Sequence, residues 1–132
     1  MEPEFIYFNE ITDGRGGLVA LEQNRNIPFE IKRVYYIYGT PENVRRGFHA
    51  HKALQQVAVC VKGACSFLLD NGRETVDCRL DSPTYGLYIG NNIWREMYDF
   101  TEDCVLMVLA SELYDEADYI RDYEKFTLIV QQ

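Results

Sequence analysis

The sequence predicts an all-β fold, a double-sheet jelly roll, and three observations carry that prediction. Short apolar or β-branched runs recur between clusters of turn residues, as in a sandwich or barrel. Asn71-Gly72 stands between two such runs as a hairpin dipeptide. Helical periodicity is confined to the tail. Taken in order, the runs are Phe5 to Phe8, Leu18 to Leu21, Arg33 to Tyr38, Gln55 to Val61, Cys65 to Leu69, Thr75 to Leu80, Tyr85 to Ile89 and Cys104 to Ala110. Asp13-Gly14-Arg15-Gly16-Gly17 turns the chain into the second run. Asn71-Gly72 is expected to form a two-residue turn, both residues at positive φ, joining its flanking runs as antiparallel partners. From Glu112 to Phe126 the apolar spacing allows a helix. So many runs are too many for a five-stranded oligonucleotide-binding barrel. A jelly roll instead offers a mouth that can hold a ligand.

The 132 residues fit a single domain, 1–132, around one core, and 47% hydrophobic residues suffice to build it. A net charge of −8 opposes binding to nucleic acid or an anionic membrane, so an anionic ligand needs a local basic cluster. Cys60, Cys65, Cys78 and Cys104 show no C-x-x-C pair and are expected as reduced thiols in the cytoplasm. The N-terminus lacks signal-peptide character, and no apolar run is long enough to span a membrane.

The two histidines of the chain lie together in Arg45-Arg46-Gly47-Phe48-His49-Ala50-His51-Lys52. Side chains alternate along a strand, so His49 and His51 share one face. Val57, Val59 and Val61 are expected to form an inward apolar row on the next strand, closed by Gly63. The pattern H-x-H-x4-Q-x6-G resembles the first signature motif of the cupin superfamily, with Gln56 where a glutamate is usual. The second motif of that superfamily usually supplies a further histidine, and here Arg95 stands in its place. A guanidinium stays protonated and has no lone pair to offer a cation, so metal-free acid–base chemistry is expected.

Arg46-Gly47-Phe48-His49-Ala50-His51-Lys52, Leu87-Tyr88-Ile89-Gly90, Trp94-Arg95-Glu96-Met97 and Asp118-Tyr119-Ile120-Arg121-Asp122-Tyr123 together resemble the dTDP-4-keto-6-deoxyglucose 3,4-ketoisomerases. Asp13-x-Arg15-Gly16 and Ile31-Lys32-Arg33-Val34-Tyr35-Tyr36 extend the likeness over nearly the whole chain. The resemblance implies a cupin jelly roll, a homodimer with exchanged N-terminal strands, no metal, and a dTDP-linked 4-keto-6-deoxyhexose as substrate. It implies His49 as the base at sugar C3 and His51 as its aid in proton movement. The 3-keto product would pass to an aminotransferase on the way to a dTDP-3-amino-3,6-dideoxyhexose. Within the family, arginine at 15 with histidine at 95 resembles the galacto branch, and tyrosine at 15 with arginine at 95 the gluco branch. This chain has arginine at both positions and mixes the two patterns.

The chemistry agrees with the residue types. The C4 ketone acidifies the C3 hydrogen, histidine is a suitable base, and the shift has no net redox change, so neither NAD nor flavin is needed. Arg15 and Arg95 are candidates to support the oxyanion. Arg33, Arg46 and Lys52 are candidates for the diphosphate, and Tyr35 or Tyr36 for the pocket lining. On a regular strand Arg46 and Lys52 would face away from the histidines, so a bulge, a strand end or a partner subunit would have to bring them in. The competing expectations are a 3,5-epimerase, a metal-dependent cupin and a non-catalytic sugar-binding module.

Overall fold

The computed structural model describes residues 1–131 and is nearly all antiparallel β-structure. The chain forms β1 (Glu4–Tyr7), β2 (Glu10–Asp13), β3 (Gly16–Val19), β4 (Arg33–Tyr38), β5 (Arg46–His51) and β6 (Gln56–Lys62). β7 (Cys65–Asp70), β8 (Thr75–Leu80), β9 (Tyr85–Ile89), β10 (Trp94–Tyr98) and β11 (Val105–Ala110) follow. A 3-10 turn at Glu116–Asp118 then leads into β12 (Tyr119–Ile120) and helix α1 (Tyr123–Val130). Two five-stranded sheets, ordered β1-β9-β6-β11-β4 and β12-β5-β10-β7-β8, face each other as the expected cupin jelly roll. β2 and β3 form a separate two-stranded hairpin. No helix among the described residues is long and apolar enough to cross a membrane.

The space between the sheets is filled by Ala58, Cys60, Leu87, Ile89, Leu106 and Val108 from one side and Cys65, Phe67, Leu69, Leu80 and Met97 from the other. Each sheet also has a covered outer face. Phe8, Ile27 and Phe29 lie over Val57, Val59 and Leu109 of the first sheet, and Phe126 of α1 packs on Ala50, Trp94 and Ile120 of the second. This corrects the expected inward valine row: on β6 the inward face carries Gln56, Ala58 and Cys60, whereas Val57 and Val59 are buried on the opposite face. A strand buried on both sides loses its apolar–polar alternation, so its parity is hidden in the sequence. Val61 is exposed.

Two further expectations are revised. β7 and β8 are antiparallel partners, but Asp70 pairs with Thr75, so the connection has four residues and of the Asn71-Gly72 pair only Gly72 has positive φ. The side chain of Asn71 causes this by accepting from the amides of Arg73 and Glu74, both at 2.9 Å. The tail helix begins only at Tyr123, with Asp122 accepting from the Lys125 amide at 3.1 Å as its N-cap. Residues 112–121 instead cross the mouth of the sandwich, where Tyr119 and Ile120 pair with His51 and Ala50. The four cysteines are free thiols, with Cys60 Sγ 3.6 Å from Cys65 Sγ and 3.8 Å from Cys104 Sγ.

Candidate active site

The site is built around an irregularity in β5. Opposite β10, Arg46 pairs with Met97, Gly47 with Glu96 and His49 with Arg95, which leaves Phe48 as an extra residue. Gly47 and Phe48 take φ of 96° and 58° to accommodate it. Glycine is required at 47, because a Cβ there would stand 2.8 Å from the Arg95 carbonyl oxygen. The bulge reverses the parity of the strand. Arg46 therefore lies on the same inward face as His49 and His51, as the sequence demanded if Arg46 was to reach them.

An open cleft of about 340 Å³ results, lined by Arg33, Tyr35, Arg46, His49, Tyr119 and Arg121, with Ile37, Gly47 and Met97 completing its wall. The rings of His49 and His51 are 4.9 Å apart between centroids, and Tyr119 packs against both, at 5.0 and 4.3 Å. Nδ1 of His49 is 3.1 Å from the Gly47 carbonyl oxygen. A carbonyl oxygen can only accept, so Nδ1 donates and the neutral ring keeps its lone pair on Nε2. His51 is fully buried, and its Nδ1 stands 3.2 Å from Oδ2 of Asp118. Its Nε2 has no partner. Burial first, then the charge of Arg95, lowers His49 to about 4 and His51 to about 2. Both rings are neutral bases at physiological pH.

Arg95 is fully buried beneath them. It donates to the Ile93 carbonyl at 3.2 and 3.1 Å and to Oε1 of Gln56, whose amide nitrogen donates to the Tyr35 hydroxyl at 3.0 Å. Burial lowers the guanidinium to about 10, so it stays charged at neutral pH. Among the described residues no carboxylate pairs with it. This donor set does not fit a divalent cation: the Gln56 oxygen is engaged, and a fixed positive charge stands where a third ligand would be.

Not every expected residue is brought in. Arg33 lies at the cleft with Nε and one terminal nitrogen buried and unpartnered, its guanidinium 5.3 Å from the centre of the Tyr35 ring. Tyr35 faces inward. Its neighbour Tyr36 points outward and is 65% exposed, since β4 alternates regularly. Lys52 lies just beyond β5, exposed and outside the cleft lining, with its amide bonded to the Asp118 carbonyl oxygen at 2.9 Å. Arg15 stands at the tip of the β2–β3 hairpin, its side chain 91% exposed and paired with Asp13 at 2.6 Å. The chain alone does not place it at the cleft.

Sequence reasoning named Gln56 in the motif without giving it a catalytic or binding role, and passed over Asp118, Tyr119 and Arg121 as site residues. Tyr119 on β12 and Arg121 just beyond it, two positions apart, both line the cleft. Asp118 meets His51 across 67 positions, a distance that no local pattern signals.

The family model described as FdtA, WxcM-like, C-terminal matches residues 1–131. Over 126 residues the chain is 57% identical to the TDP-4-oxo-6-deoxy-alpha-D-glucose-3,4-oxoisomerase of Aneurinibacillus thermoaerophilus, covering 96% of this chain and 91% of that protein. The 3,4-ketoisomerase QdtA of Thermoanaerobacterium thermosaccharolyticum has been solved as a histidine-to-asparagine mutant in complex with TDP-4-keto-6-deoxyglucose. It matches with a TM-score of 0.96 and 46% identity over 98% of this chain and 94% of its own. A 3,4-ketoisomerase from Helicobacter canadensis gives the same TM-score and identity over 100% and 99%. By sequence and by architecture, the chain belongs to the FdtA, WxcM-like C-terminal family.

Proposed function

We propose that this chain is a TDP-4-keto-6-deoxyglucose 3,4-ketoisomerase, an intramolecular oxidoreductase that moves the carbonyl from C4 to C3. The observation that carries the reading is a pair of neutral imidazoles, each with a bare Nε2, beside a buried guanidinium with no counter-ion. His49 takes the proton from C3, and the electrons of that C–H bond form the C3–C4 double bond of an enediolate. The oxyanion develops near Arg95, whose field is little screened in its dry surroundings. Return of a proton to C4 and transfer of the O3 proton to O4 leave the ketone at C3 and a hydroxyl at C4. His51 assists that second transfer, and no electrons leave the sugar. Arg33, Arg46 and Arg121 surround the cleft on an otherwise acidic chain and are the cations offered to the diphosphate. Tyr35 lines the pocket.

The working form is a homodimer in the cytoplasm, with the N-terminal hairpin of one subunit exchanged onto the other and Arg15 reaching the partner's cleft. The product would feed an amino transfer at C3. A proton-NMR time course with TDP-4-keto-6-deoxyglucose in D₂O tests the reaction. Migration of the ketone to C3 with deuterium at C4, abolished by His49→Asn, is expected, and the ring coupling constants then read the C4 configuration. Deuterium at C5 with the ketone still at C4 would indicate a 3,5-epimerase instead.

A further inference from the structure

We propose that Asp118 is a positioning residue for the isomerisation, fixing His51 as the tautomer whose Nε2 can accept a proton; the catalytic part of this inference rests on the ketoisomerase reading. Oδ2 of Asp118 lies 3.2 Å from Nδ1 of His51, and a carboxylate can only accept. The imidazole therefore carries its hydrogen on Nδ1 and leaves Nε2 bare. That Nε2 is buried and unpartnered. A buried acceptor without a donor is uncommon and points to a group held ready for a task. Nothing else at the site selects this tautomer, since the adjoining rings of His49 and Tyr119 contact His51 by their faces and edges.

The carboxylate is itself fixed. Oδ1 accepts from the Ala53 amide at 2.8 Å and Oδ2 from the Leu54 amide at 3.2 Å, while the Asp118 carbonyl oxygen accepts from Lys52 at 2.9 Å. Asp115 holds the turn from the other side by accepting the Asp118 amide at 3.0 Å. The carboxylate thus faces three N–H donors and no cation among the described residues, and of the three only the imidazole can change its protonation. When His51 takes a proton at Nε2, the Nδ1–H bond to Asp118 becomes an ion pair, which offsets the opposing charge of Arg95. An asparagine has the same shape but no charge, and either orientation of its amide sets an NH₂ group against an N–H donor.

The test has three parts. In ¹⁵N-histidine-labelled wild-type protein at neutral pH, long-range ¹H–¹⁵N correlation should show His51 with a protonated Nδ1 and a bare Nε2. Asp118→Asn should lower kcat by about 100-fold with KM and TDP affinity held within about threefold, and Asp118→Glu should recover part of the loss. A wild-type His51 protonated on Nε2 would overturn the inference, even if the asparagine variant failed to fold. So would a folded Asp118→Asn that keeps kcat within about threefold of wild type, or one that loses melting temperature and KM alone. Failure of the wild-type enzyme to move the ketone would refute the ketoisomerase reading instead, and the tautomer measurement would still report the hold of Asp118 on His51.

Discussion

Arg95 keeps its charge between the sheets with only neutral oxygens as partners, and the acid–base properties of the site follow from that choice. Gln56→Glu would give it a carboxylate partner of the same shape. The positive field that helps hold His49 at about 4 would be cancelled, so the acid limb of kcat/KM should move to higher pH, while kcat should fall by about 10- to 100-fold as the oxyanion loses its support. A pH–rate profile of the variant beside wild type measures both. The same depressed imidazoles make folding pH-dependent. Their unfolded value is near 6.5 and their folded values are about 4 and about 2, so between those limits the unfolded chain binds more protons. Their contribution to stability is complete above about pH 6.5 and is lost as pH falls through that window. Melting temperatures at pH 7.5 and 5.0 should differ more for wild type than for a His49→Asn, His51→Asn double variant.

Elements decide which of these side chains meet. β4 is regular, so its period of two sends Arg33, Tyr35 and Ile37 inward and Val34, Tyr36 and Tyr38 outward. The sequence therefore placed Tyr35 and Tyr36 on opposite faces without stating which was inside. β5 is different. Its bulge was legible only as a need, the requirement that Arg46 be turned toward the histidines, because one glycine does not announce an extra residue in a strand. Gly47→Val tests the device: at φ 96° with the Arg95 carbonyl in the way, the branched side chain should cost about 1–3 kcal/mol of stability and displace Arg46 and His49. Denaturant unfolding and kcat report the two effects, and the same substitution at Gly14, where nothing in this chain lies within 4 Å of an added Cβ, should cost far less unfolding free energy. The jelly roll itself was readable because eight apolar runs and their turns are local signals. Asp118 was not, since it meets His51 across 67 positions, and Gln56 was visible in the motif while its bond to Arg95 was not.

At the scale of the molecule, the hairpin and the first sheet leave large apolar side chains exposed. Ile11 and Leu18 of the hairpin are 63% and 58% exposed, and Val61 and Tyr36 are exposed on strands of the first sheet. In the proposed homodimer a second copy of the chain covers this surface and brings Arg15 to a cleft, so light scattering should give about twice the 15.4 kDa chain mass. Replacing Ile11 and Leu18 with aspartate should yield monomers with little activity. The sharper consequence is complementation. Arg15→Ala and His49→Asn should each be inactive as homodimers, yet in the mixed dimer one cleft joins an intact His49 to the partner's intact Arg15. Co-expression in equal amounts should then restore about one quarter of wild-type sites, the fraction set by random pairing in a two-fold dimer. Recovery near that level places Arg15 across the interface; inactive mixed dimers of confirmed composition would show that each hairpin serves its own chain or that Arg15 serves no cleft.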